Sequence, residues 1–130
     1  MPVIRTSQRM LEAGNRPDWC RVTSAGIFRV SANGGRFDCH YHDFPEYWLV
    51  FKGRAKVMTE GREFYVGKGD IVGTDTGVEH DILEVYEDLE AFWFEDACPP
   101  GGKTGHLHRT PEKAKGHPVP CKPLPSDFPS

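Results

Sequence analysis

Between about Ala25 and Glu95 the chain is a succession of short β-branched and aromatic runs with no stretch among them that has a helical period. The runs are GIFRVSA, RFDCHYH, EYWLVFKG, AKVMTE, EFYVGKG, DIVGT, HDILEVY and LEAFWFE. The breaks between them hold turn formers: Asn33-Gly34-Gly35, Gly53, Gly61, Gly67, Gly69-Asp70 and Asp75 to Gly77. Many short strands at even spacing predict an all-β fold, an antiparallel sandwich or small barrel. With 130 residues the chain is long enough for one such domain with a real core and too short for two.

The flanks read differently. SQRMLEAG, with Ser7 as N-cap and Gly14 as stop, predicts one short helix. Eight of the eleven prolines lie in residues 99–130, and a segment lacking so many backbone donors cannot supply a central strand. The expected organisation is therefore a barrel over residues 1–98, including the N-terminal segment, and an extended Pro-rich tail over 99–130. Residues 1–98 hold 11 Lys+Arg against 17 Asp+Glu, whereas the tail holds 5 against 2. An acidic body with a basic tail predicts that the tail packs on the barrel or on a partner subunit.

A net charge of -3 and a pI near 6.0 argue against nucleic acid as a partner, because phosphate binding needs a basic face. No apolar run approaches the roughly 20 residues that cross a bilayer. The N-terminal MPVIRTSQRMLEAG lacks the basic-then-apolar pattern of a secretory signal. The expectation is a cytoplasmic protein with no membrane partner. Cys20, Cys39, Cys98 and Cys121 have no C-x-x-C spacing, so neither a zinc ribbon nor a redox pair is indicated and free thiols are expected.

The stretch 34–53, GGRFDCHYHDFPEYWLVFKG, puts imidazoles and a carboxylate where a half-buried strand ordinarily carries Val, Ile or Phe. In a strand, residues i and i+2 share a face about 6–7 Å apart, so His40 and His42 can aim at one point while Tyr41 faces away. The turn Asp43-Phe44-Pro45 then reverses the chain, and Glu46 heads the next strand within reach of the same point. A fourth donor has to come from elsewhere, and among the remaining histidines His80 alone lies in a predicted strand of the barrel. Three neutral imidazoles and one carboxylate suit one divalent transition metal, Fe, Mn, Ni, Co or Zn, rather than Ca or Mg.

These residues resemble the cupin superfamily. Its first motif is a glycine, five residues, H-x-H, three or four residues, Glu, six residues and a glycine, and Gly34, His40, His42, Glu46 and Gly53 meet every position. In the second motif GDIVGTDTGVEHDILE supplies Gly69, Gly77 and His80, with Asp75 where proline is usual and Glu84 where asparagine is usual. The resemblance implies a double-stranded β-helix (jelly-roll) barrel of six to eight strands and His40, His42, Glu46 and His80 as metal ligands. Glu84, about 13 Å beyond His80 along an extended strand, is expected at the rim or in an outer layer.

An open metal position in a small barrel serves isomerase and lyase chemistry as a Lewis acid, or binds dioxygen beside a substrate. Glu46 is the catalytic candidate, as a base that loosens from the metal. Asp75 and Glu79 read as a turn residue and a rim charge. Trp48 shares the inward face with Glu46 and Val50 and is the candidate substrate-binding wall. Tyr47, Leu49 and Phe51 face the other way and, with AFWF at 91–94, suit a two-fold sheet contact, so a homodimer is expected. The tail carries a second H-x-H, His106 and His108, which reads as an exposed or packing pair for want of a neighbouring carboxylate. With the tail folded over the barrel mouth, these histidines or Arg109 would complete a pocket, Arg109 suiting a carboxylate or phosphate. The reading is a metal-dependent enzyme acting on a small polar organic substrate, a sugar or hydroxy-acid derivative, by isomerase, lyase or dioxygenase chemistry. The alternative is a non-catalytic small-molecule binding or sensor protein.

Overall fold

Seven of the eight apolar runs become strands whose ends fall at the turn formers between them. In the computed structural model, which describes residues 1–129, these are β1 (Ser24–Val30), β3 (Glu46–Lys52), β4 (Arg54–Thr59), β5 (Arg62–Gly67), β6 (Ile71–Thr74), β7 (His80–Val85) and β8 (Leu89–Glu95). The two-residue β2 (Arg36–Phe37) and β9 (His117–Pro118) pair with each other, and a short helix α1 (Pro111–Lys115) precedes β9. β3 passes to β4 through Gly53 alone. Its φ is +87°, and an added Cβ would run into the carbonyl oxygen of Asp88, so the position needs glycine.

The strands form two antiparallel sheets, ordered β1-β8-β3-β6 and β5-β4-β7. Period-two burial explains how they face each other. Glu46, Trp48 and Val50 of β3 and Ala55, Val57 and Thr59 of β4 point inward, while their sequence neighbours are more exposed. Val30, Val72, Leu89 and Ala91 from one sheet meet Val66, Ile82 and Val85 from the other in a single core. This is the predicted jelly-roll barrel.

The run RFDCHYH departs from expectation, because it forms a ladder only at Arg36 and Phe37. Further on, His40 exchanges both backbone hydrogen bonds with His80, and the next residue, Tyr41, does so with Leu107 of the tail. Consecutive residues that pair with different neighbours leave single bridges rather than a strand. The bridge nonetheless sets His40 directly opposite the first residue of β7. The expected helix at SQRMLEAG is also absent. Arg5 closes one turn with Gln8 and Arg9, after which Leu11 exchanges two bonds with Ala25 on the edge of β1. A helix this short has a costly nucleus, and two sheet bonds plus burial of Leu11 outweigh it.

The tail lies along its own barrel. Val119 is buried in the core and donates its amide to Gly35, and Cys121 bridges to Val85. The tail is not extended throughout, since Thr110 caps the N-terminus of α1, Pro111 fills its first position and Gly116, at φ +74°, ends it. No helix among the described residues is long and apolar enough to cross a membrane.

Candidate metal centre

The His40–His80 bridge, the turn at 43–45 and the head of β3 converge on one buried spot. The rings of His40 and His80 are 4.3 Å apart between centroids, those of His40 and His42 5.0 Å, and those of His42 and His80 5.2 Å. Glu46 reaches between them, with Oε1 3.1 Å from Nε2 of His80 and Oε2 3.4 Å from Nε2 of His42. One donor atom from each of the four residues lies within 4.8 Å of every other. All four residues are buried, none exposing more than 5% of its surface.

The outer hydrogen bonds decide what these donors present inward. Nδ1 of His40 faces the Asp38 carbonyl, Nδ1 of His42 the Gly105 carbonyl at 2.9 Å, and Nδ1 of His80 the Val78 carbonyl at 3.4 Å. A carbonyl only accepts, so each Nδ1 carries the proton and each Nε2 keeps a lone pair. Nε2 of His42 and of His80 are buried without a hydrogen-bond partner, because their approach to Glu46 is close but poorly directed. Several lone pairs and a carboxylate thus face one another away from water, and a divalent cation would supply the positive charge that this arrangement lacks. The four residues therefore fit, and can hold, a metal ion.

Local electrostatics follow the same geometry. Burial pushes His40 below its usual value even beside Asp38, which keeps it neutral as a ligand must be. Burial pushes Glu46 up, but positive charge beside it, from His42 and His80 when protonated or from a cation in place of those protons, outweighs burial and holds the carboxyl well below the usual carboxylate range. Burial and then the Glu46 charge push Glu95 up to about 7.

The cluster opens on a cavity of about 290 Å3. Phe28, Phe37, Trp48 and Trp93 form its apolar walls, and His40, Glu46, Glu95 and His106 its polar end. Trp48 both lines the cavity and donates its indole N–H to Glu46 Oε1 at 2.9 Å. A wider hollow of about 480 Å3 between β5 and β6 contains none of the clustered donors. Asp75, Glu79 and Glu84 stand apart from the cavity. Asp75 binds the amide of Thr76, Glu79 pairs with Lys113 at 2.7 Å, and Glu84 pairs with Lys122 at 3.1 Å. Arg109 donates to the Gly77 carbonyl and lies over Tyr41.

Two carboxylates at the site are additional to the sequence reading. Glu95 closes β8 and pairs with Glu46 in the β3–β8 register. Asp38 lies between His106 and His108, which supplies the carboxylate that those histidines lack in sequence. Its place two residues before His40, on the same alternation as His42, was the available signal.

A jelly-roll barrel that buries three histidines and a glutamate, two of the four lining a small cavity, defines a class, and similarity to known proteins agrees with it. A family model described as Cupin domain matches residues 26–95, more than half of the chain, and the chain belongs to the cupin family. Among curated proteins it is 39% identical over 71 residues to protein y4oW of Sinorhizobium fredii; the match covers 55% of this chain but only 33% of that one. The chain thus spans about a third of that relative's length. Among solved structures it is similar to a cupin 2 conserved barrel domain protein from Rhodopseudomonas palustris, with a TM-score of 0.62 at 16% identity over 82% of this chain and 68% of the other. The DMSP lyase DddQ from Ruegeria pomeroyi superposes with a TM-score of 0.61 at 21% identity over 72% of this chain and 46% of the other. At these identities the structural likeness speaks for the fold.

Proposed function

We propose that this chain is a metal-dependent enzyme for a small hydroxylated molecule, a sugar or hydroxy-acid derivative, with isomerase, lyase or dioxygenase chemistry. The observation that carries the reading is the pair of orphaned nitrogens, His42 Nε2 and His80 Nε2, buried beside Glu46, which itself lines a cavity. His40, His42, Glu46 and His80 would hold one divalent ion, Fe, Mn, Ni, Co or Zn. When bound there, such an ion supplies Lewis acidity toward oxygen atoms of a bound molecule.

The chain's own residues divide the remaining work. Trp48, with Phe28, Phe37 and Trp93, gives the substrate a wall for its C–H flank and excludes water from the polar end. Glu46 and Glu95 sit side by side on neighbouring strands, and both line the cavity. Glu46 is tied by the Trp48 indole, which leaves Glu95 the freer of the two to exchange a proton with substrate. Two copies pair through the outer face of the larger sheet, where Tyr47 lies against Phe94 and Leu49 against both Phe92 and Ile71. Tyr47 and Ile71 are 42% and 68% exposed in the single chain. All four cysteines are unpaired, which supports work in the reducing cytoplasm.

The test is turnover of a panel of sugars and hydroxy acids by the metal-loaded protein, followed by proton NMR, with Glu95→Gln alongside. Product formation that falls about 100-fold or more in Glu95→Gln is the expected result. Saturable binding with no product for any of the five metals would contradict the enzyme reading and favour a small-molecule sensor.

A further inference from the structure

His106 and His108 lie outside the matched family region, yet both reach the outer layer of the metal centre. Nδ1 of His106 and Nε2 of His108 each stand 2.7 Å from Oδ2 of Asp38. The same oxygen is 3.3 Å from Nδ1 of His40, so one carboxylate oxygen gathers three imidazoles, two of them from the tail. His106 also stacks on His40, with centroids 3.5 Å apart and planes 6° from parallel. One residue earlier, the Gly105 carbonyl takes the Nδ1–H of His42. Between these contacts Leu107 and Tyr41 exchange backbone hydrogen bonds of 2.9 and 3.0 Å.

A ligand histidine binds a cation well when its far nitrogen has a fixed partner, because that partner sets both tautomer and ring orientation. The three histidines obtain that partner differently. His80 faces Val78, two residues away on its own chain segment. His42 depends on Gly105 of the tail, and His40 faces the carbonyl of Asp38, likewise two residues away, while the Asp38 carboxylate beside its ring is held by two tail rings.

We propose that residues 105–108 are a clamp that positions His42 through Gly105 and His40 through Asp38, so that metal binding in the barrel and docking of the tail strengthen each other. The clamp rests on the metal reading given above. The coupling is reciprocal: the factor by which the docked tail raises metal affinity is the factor by which the metal favours docking.

Two measurements test it on the full chain. The first compares Zn2+ affinity, by competition with a chromophoric chelator, and the visible spectrum of the Co2+-loaded protein for wild type, His108→Ala and His108→Gln. His108→Ala is expected to weaken Zn2+ binding roughly 10-fold to 100-fold and to alter the cobalt bands. His108→Gln, which keeps an N–H donor near the position of Nε2, is expected to restore most of both. The second uses wild type alone and follows hydrogen exchange at the amides of Tyr41 and Leu107, which should slow when Zn2+ is added. Should His108→Ala misfold, the exchange measurement decides. A metal-loaded wild type with unchanged exchange, and an alanine variant with wild-type affinity and spectrum, would overturn the clamp and leave the metal reading standing. A wild type that takes up neither Zn2+ nor Co2+ would overturn both, and is recognised by the failure of the unmutated chain.

Discussion

Glu46 places a charge in a wall that is otherwise aromatic and aliphatic, and Trp48 makes that tolerable. The indole N–H satisfies Oε1, while the ring packs edge-on against Phe28, Phe37 and His80 at 5.2 to 5.7 Å between centroids. Trp48→Phe keeps an aromatic ring but removes the donor and opens a small void. It should destabilise the metal-free chain by about 2 kcal/mol in urea unfolding. A loss below about 0.5 kcal/mol would mean that the indole bond contributes little. At this scale the clustering of the four donors was legible in sequence, because His40, His42 and Glu46 lie close along the chain and His80 heads a strand that could be read from its own run. Glu95 was not, since only the pairing of β3 with β8 brings it beside Glu46. Asp38 shares the alternation of His40 and His42, but its role needed the tail in place.

Strand positions were legible to within a residue or two, since the Gly and Asp breaks mark them. The exception is 38–42, where two different neighbours share consecutive residues, a matter of tertiary pairing that no local pattern encodes. The TPEKAKG signature of α1 was visible in principle, with its Thr cap, Pro in the first turn and terminal Gly, but lay within a segment whose proline content argues for extension. Attachment of β9 carries a pH signature. Nε2 of His117 faces Asp81 at 2.6 Å and Nδ1 faces the Pro118 carbonyl at 2.9 Å, so both ring nitrogens meet acceptors and only the protonated ring satisfies both. Burial lowers its pKa, but Asp81 outweighs burial and raises it above the usual 6.5. The stabilisation is therefore fully present below about pH 6.5 and is lost as the pH rises through the raised folded value. Wild type should exceed His117→Gln in stability at pH 6, and the gap should close by pH 9. A gap that stays constant or widens with pH would contradict the assignment.

For the whole molecule, the apolar outer strip of the larger sheet and the metal centre give separate predictions. Tyr47→Lys combined with Ile71→Lys puts two charges on the strip and should convert a dimer to a monomer in sedimentation without loss of bound metal. A wild-type chain that sediments as a monomer would remove the pairing proposal. The central claim is that four buried donors in the barrel hold one transition metal. Its most direct test is elemental analysis by plasma mass spectrometry of freshly purified, untagged wild type beside His80→Ala. Close to one transition metal per wild-type chain, with most of it lost in the variant, is the expected result. Wild type that stays empty after incubation with Fe, Mn, Ni, Co and Zn, or a variant that keeps its full load, would contradict it.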